Sequence, residues 1–294
     1  RIIFALAIMF TLGALLPTPA LAQEEFGEQV NTSIDSAVSF LWTRQLDTGG
    51  WEAFHGGSEN EGLGTSALIV YALLESGVSP QDARMLRAFE YLKAGQATKV
   101  YSAGMRAVAF QVANEQTNNK YLSEVRKDVD QIRQAQRNGA YGYDTSPSAG
   151  WDNSNTQYAV LAAWYGGMND RIDIPAQYWN DLQRHWQTAQ KPDGGWAYNT
   201  SDVLGYYAGV TQPTMTVGGI ASLYICEDNI PLRSRPDRTA IERCEGVVMD
   251  PHLVNGLAWM DRNFTADPTQ TGYIYGEFQQ QWAFYYLYGV ERAG

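Results

Sequence analysis

Apolar positions recur at helical spacing along most of the chain, and strand-like alternation is nearly absent. Ile34, Val38, Leu41 and Trp42 mark one such face, and Trp179, Leu182 and Trp186 mark another. Each of these segments is followed by a helix richer in small and aromatic residues: GTSALIVYALLESG (64–77) after the first, TMTVGGIASLYIC (214–226) after the other. NTQYAVLAAWYGG (155–167) is a third of this kind. SPQDARMLRAFEYLKAG (79–95) precedes SAGMRAVAFQVAN (102–114), and PHLVNGLAWMDRNF (251–264) precedes QQQWAFYYLYGVERAG (279–294). The pattern predicts an all-α chain of ten helices in five hairpins. Ser79-Pro80 places a proline in a first helical turn, and Asn31-Thr32-Ser33 offers capping side chains.

A phrase recurs between the helices. RQLDTGGWEAF (44–54) and AQKPDGGWAY (189–198) share a glutamine, an aspartate and Gly-Gly-Trp, and AQRNGAYGYD (135–144) is a degenerate copy. Glycines supply the positive φ needed at a helix end, the tryptophan folds back onto its helix pair, and Gln and Asp bond exposed groups at neighbouring helix ends. The phrase therefore reads as a structural clasp. Polar first helices and apolar second helices imply two concentric layers, an α/α toroid, with a straight solenoid as the competing architecture.

Composition narrows the functions. The 294 residues carry 21 Lys and Arg against 32 Asp and Glu, a net charge of −11, with no basic run, which excludes nucleic acid as a partner. The opening RIIFALAIMFTLGALLPTPALA has one basic residue, an apolar run too short to span a bilayer, and small residues before Gln23. Residues 1–22 are expected to be a signal peptide cut after Ala22. The remainder, 23–294, is expected to be exported, with no integral membrane segment. Outside the cytoplasm Cys226 and Cys244, which flank a polar proline-bearing stretch, are expected to pair as a disulfide.

Gln-x-x-Asp-Gly-Gly-Trp resembles the repeat of squalene–hopene cyclases and protein prenyltransferase β subunits. GWDNSNTQYAVLAAW (150–164) and TMTVGGIASLYI (214–225) resemble inner-helix stretches of squalene cyclase-like proteins. The likeness spans nearly all of 33–294 and implies an α/α toroid around an apolar cavity. The chain stops directly after an inner-helix segment, so the toroid is expected to be incomplete within it.

The catalytic signatures of that family do not carry over. The Asp-x-Asp-Asp acid of terpene cyclases is missing, since the sequence holds no Asp-Asp pair. The nearest fragment, Asp128-Val129-Asp130, reads as the solvated face of a polar helix. His55, His185 and His252 lie in dissimilar contexts and neither cysteine follows an aspartate by two residues, so no zinc triad is expected, and no cofactor. Metalloprotease, phosphate-loop, nucleophile-elbow and thioester motifs are also missing.

The candidate site is the polar cluster WDNSNTQY (151–158) at the entry to an inner helix. Asp152 either caps that helix or faces the cavity as a ligand-binding or proton-donating group. His55 and Glu61 are expected near the same mouth. Tyr158, Trp164, Tyr165, Tyr206, Tyr207, Trp282 and Tyr285 are expected to line the interior or to pack the core. The leading expectation is an exported toroid that binds an apolar isoprenoid, a lipid or a partner protein. Alternatives are a terpene cyclase using Asp152 and a carbohydrate-active α/α barrel, whose paired carboxylates the inner helices scarcely supply.

Overall fold

The computed structural model describes residues 19–53, 59–146, 150–199, 209–230, 249–265 and 283–294. Ten α-helices lie among them: α1 (Pro19–Thr43), α2 (Glu59–Glu75), α3 (Ala83–Ala94), α4 (Val100–Glu115), α5 (Leu122–Ala135), α6 (Asn153–Gly167), α7 (Ala176–Ala189), α8 (Pro213–Asn229), α9 (Pro251–Asn263) and α10 (Ala283–Ala293). The only β pairing among the described residues is a few isolated bridges in turns, so the fold is all-α. The chain divides into residues 1–44 and residues 45–294.

In the first unit, α1 runs unbroken through Ala22 to Thr43. Asn31, Thr32 and Ser33 therefore sit in mid-helix rather than at a start. With no free N–H to accept, the Thr32 and Ser33 hydroxyls donate to the carbonyls of Glu28 and Gln29, each at 2.9 Å.

In the second unit the helices sort into two rows. α2 packs on α4, α4 on α6, α6 on α8 and α8 on α10; α3 packs on α2, α5 on α4 and α6, and α7 and α9 on α8. Burial follows the same division. α4 buries fourteen of its sixteen residues, whereas α5 buries five of fourteen. Small residues permit the close approach: a Cβ on Gly104 would lie 3.1 Å from the Tyr158 carbonyl oxygen, so α4 meets α6 backbone to backbone. α3 starts later than the proline suggested. Asp82 is its N-cap, accepting the Arg84 N–H at 2.8 Å, and Pro80 sits in the turn before it.

Three turns share one geometry. The Gln45 side-chain amide donates to the carbonyls of Gly49 and Arg84, both at 2.9 Å. The Gln190 amide donates to those of Gly194 and His252, at 2.8 and 2.6 Å. Gly49 and Gly194 take φ of +93° and +98°. A Cβ there would meet the Arg87 and Asn255 carbonyl oxygens at 2.5 and 2.7 Å. The Trp51 and Trp196 N–H groups then donate to the hydroxyls of Ser66 and Thr216, at 2.8 and 3.1 Å, and both rings are buried.

The degenerate copy keeps the arrangement. Gln136 reaches the Tyr178 carbonyl at 3.4 Å, Gly139 at φ +79° abuts the Asp181 carbonyl, and the Tyr141 N–H donates to Thr156 Oγ1 at 3.1 Å. In every copy the glutamine and the glycine meet carbonyls three residues apart at the start of α3, α7 or α9: Arg84 and Arg87, Tyr178 and Asp181, His252 and Asn255. Each clasp thus ties one turn to the next helix of the less buried row and, through the backbone N–H of its aromatic residue, to the first turns of a helix of the more buried row.

No Gly-Gly-Trp follows α3. Its last carbonyls are held instead by Arg106 of α4, which donates to Leu92 O at 3.0 Å and Gly95 O at 2.7 Å. The rest of that guanidinium grips Asp128 of α5 through two bonds of 2.8 and 2.6 Å. Asp128 is fully buried, which corrects the expectation of a solvated face; Asp130, two residues on, does face outward beside Arg133.

Candidate functional site

Asp152 sits at the N-terminus of α6 in extended conformation, φ −147° and ψ 157°. One carboxylate oxygen accepts the Asn155 N–H at 2.7 Å and the Ser154 hydroxyl at 2.5 Å, and the other accepts the Asn155 side-chain amide at 2.8 Å. The carbonyl of Asp152 also receives the Thr156 hydroxyl at 2.7 Å, and its N–H donates to Tyr141 O at 3.0 Å. Asp152 is 3% exposed. Both oxygens face donors from the first turn of their own helix, the geometry of a helix cap.

Tyrosine rings gather around this cap. Tyr101 of α4 and Tyr198 both lie beside Ser154. The Tyr143 and Tyr198 hydroxyls pair at 2.6 Å. Each follows a clasp aromatic by two residues, Tyr143 after Tyr141 and Tyr198 after Trp196, so equivalent positions of two repeats meet. From Tyr143, which is 54% exposed, the rings run inward: Tyr143 to Tyr101 at 6.5 Å, Tyr101 to Tyr158 at 4.4 Å, Tyr158 to Tyr285 at 6.3 Å between centroids. Burial pushes the phenols of Tyr101, Tyr158 and Tyr285 well above their ordinary range, so they stay neutral donors.

The row continues at the far end of α6. Tyr165 hydrogen-bonds Tyr71 of α2 across 3.2 Å, oxygen to oxygen, and Arg292 of α10 lies over the Tyr165 ring, 5.6 Å from its centroid. Tyr158 faces Tyr285 and Tyr165 faces Arg292, the same seven-residue step on both helices, so α6 and α10 run parallel.

Trp164 packs edge-on against Tyr165 at 5.2 Å and is half-buried. Twelve residues separate it from Asp152, about 18 Å along the helix, so these two candidates do not share a site. His55, Tyr206, Tyr207 and Trp282 lie outside the described residues, as does the side chain of Glu61. So does Cys244; Cys226 is fully buried in α8, where burial raises its thiol pKa.

Two histidines have settled surroundings. His185 Nε2 is 2.9 Å from Asn153 Oδ1, the ring stands edge-on to Trp151, and burial pulls its pKa down to about 4. His252 Nδ1 lies 2.9 Å from Asp250 Oδ1 at the cap of α9. Among the described residues no group of three or more His, Cys, Asp or Glu side chains is placed to hold a metal ion. No described helix is long and apolar enough to cross a membrane.

Tyr101, Tyr198, Tyr71, Tyr288 and Arg292 were not singled out by the sequence. Tyr143 and Tyr198 carry a readable signal, their shared offset from the clasp aromatic; Tyr71 and Arg292, 221 residues apart, carry none. The assembled site offers ring faces and phenol donors, with its one carboxylate engaged as a cap. No protein-family model, curated protein or solved structure matches this chain.

Proposed function

We propose that this chain is an exported binding protein of the α/α-toroid type, which holds an apolar, unsaturated ligand of isoprenoid kind against its inner tyrosines. The observation that carries the reading is the ring row Tyr143, Tyr101, Tyr158 and Tyr285, supplied by a turn, α4, α6 and α10. Ring faces hold polarisable alkenes by dispersion over a large area, and a row from an exposed ring to half-buried ones suits an extended chain better than a compact one. Binding is favoured over conversion because a cyclase acid must present its proton to an alkene, and both oxygens of Asp152 are turned to donors of their own helix.

The test is native mass spectrometry of the purified chain with farnesol as probe, followed by extraction. A one-to-one complex is expected, with farnesol recovered unchanged. Tyr158→Ala is expected to weaken binding by about tenfold through loss of ring area at the centre of the row. No complex with farnesol would sink the reading, and recovery of a cyclised product would replace it with catalysis.

A further inference from the structure

The far end of the row holds a positive charge whose ion-pair partner among the described residues is its sequence neighbour, Glu291. Arg292 reaches from α10 into a cage of phenols: its guanidinium carbon is 5.6 Å from the Tyr165 ring centroid and 5.0 Å from that of Tyr288, and it donates to the Tyr71 hydroxyl. Its side chain is 14% exposed. Its carboxylate partner among the described residues, Glu291, is 67% exposed; Oε2 lies 3.2 Å from Nε but out of hydrogen-bond alignment. The surrounding phenols do not neutralise the cation. Burial pushes Tyr288 up to about 12 and Tyr71 higher still.

Arg106 shows what a buried guanidinium in this protein has when its needs are met: a fully buried aspartate gripping two nitrogens and two carbonyls on a third. Among the described residues Arg292 has no buried aspartate of this kind, only the exposed carboxylate of Glu291. Its place in the last turn of α10 suits the helix dipole, but that accounts for a cation near the helix end, not for one turned among aromatic rings. Two buried donors in the cage, Arg292 Nε and the Tyr288 hydroxyl, lack an aligned acceptor among the described residues. Such donors are costly when orphaned, and a neighbouring pair of them calls for an anion with two oxygens.

We infer that Arg292, with Tyr71, Tyr165 and Tyr288, binds the carboxylate head of an amphipathic ligand whose tail lies along the tyrosine row. A carboxylate carries one charge and two coplanar oxygens. It fits the guanidinium edge, while the Tyr288 hydroxyl donates to whichever oxygen faces it. The inference rests on the proposed function and adds to it the chemical class of the ligand: an apolar acid rather than a hydrocarbon or alcohol.

The experiment compares farnesoic acid with farnesol, two probes with one tail and different heads, by titration calorimetry at neutral pH. The acid is expected to bind about tenfold more tightly or better, as a charge-assisted bidentate contact in a half-buried site implies. Arg292→Gln is expected to bring the acid to within about twofold of the alcohol; Arg292→Lys, which keeps the charge and loses the fork, is expected to keep part of the preference. Circular dichroism of each variant checks that it is folded. Equal affinity of acid and alcohol for the unaltered chain would overturn the carboxylate assignment and leave the binding reading intact. An acid preference that survives Arg292→Gln would also overturn it. Binding of neither probe would overturn both.

Discussion

Arg106 and Asp128 form a buried, two-bonded ion pair between α4 and α5, at 2.6 and 2.8 Å, and the same guanidinium holds the last carbonyls of α3. It does at the end of α3 what the Gln-x-x-Asp-Gly-Gly-Trp clasp does elsewhere. Asp128→Asn is expected to destabilise the chain by about 3 to 5 kcal/mol, because a buried guanidinium is left without its counter-charge. The double variant Arg106→Met, Asp128→Leu is expected to recover part of that loss and not all, since Leu92 O and Gly95 O then lack their donor. Urea unfolding of the three variants measures this. A double variant no better than the single one would mean that the pair is not acting as a unit.

The clasp glycines are separable from an ordinary turn glycine by what surrounds them. Gly139 at φ +79° abuts the Asp181 carbonyl, while Gly77 at φ +83° has nothing within 4 Å of where a Cβ would stand. Gly77→Ala is expected to cost about 1 kcal/mol, the left-handed backbone penalty alone. Gly139→Ala carries the same penalty plus a clash that moves α7, and is expected to cost about 3 kcal/mol or more. Comparable losses in thermal unfolding would show that the turn, not its contact with α7, sets the requirement.

His185 makes stability fall with acid. Its pKa drops from the usual 6.5 to about 4 through burial, so the folded state favours the neutral ring. Above pH 6.5 both states are neutral and the group has no effect. As pH falls from 6.5 towards 4 the unfolded chain takes up the proton first, and stability declines by about 3 kcal/mol in total. Denaturant unfolding between pH 7.5 and 4 checks this against His185→Gln, in which that part of the decline is expected to vanish. A variant with the parent slope would assign the acid sensitivity to other groups.

Asp152 separates a capping role from a ligand-binding one. Asp152→Ala removes the acceptor for the Asn155 N–H and strands the Ser154 hydroxyl, at an expected cost of about 1 to 2 kcal/mol, and Asp152→Asn restores part of it. Farnesol affinity of the asparagine variant is expected to stay within about twofold of the parent. A loss of affinity without a loss of stability would return Asp152 to the binding site.

Much of the fold was readable because the readable signals are local. Helical spacing marks the segments that form α1 to α10, and one glycine of each copy of the repeated phrase, Gly49, Gly139 or Gly194, sits where positive φ is required. AQRNGAYGYD alone marks the degenerate copy, and its geometry matches that of the full copies to the choice of carbonyls. The caps were harder to place. Thr32 and Ser33 suit a helix start by composition, but α1 begins well before them. Asp128 could have been found: Val125, Asp128, Val129 and Ile132 fall on one helical face, so the spacing places the aspartate among apolar residues.

Which segments are helices, where they turn and that a repeated phrase joins them can be read from the residues alone, since backbone propensity, turn stereochemistry and hydrophobic period act over a few residues. That Tyr143 meets Tyr198, that Asp128 faces Arg106 and that Arg292 enters a cage built by α2, α6 and α10 follows from the packing of the helices. Those meetings depend on how each helix is rotated about its own axis and which neighbour it packs on. Polar groups turned inward together by that packing lose water at once and must satisfy one another, or a ligand, where they stand.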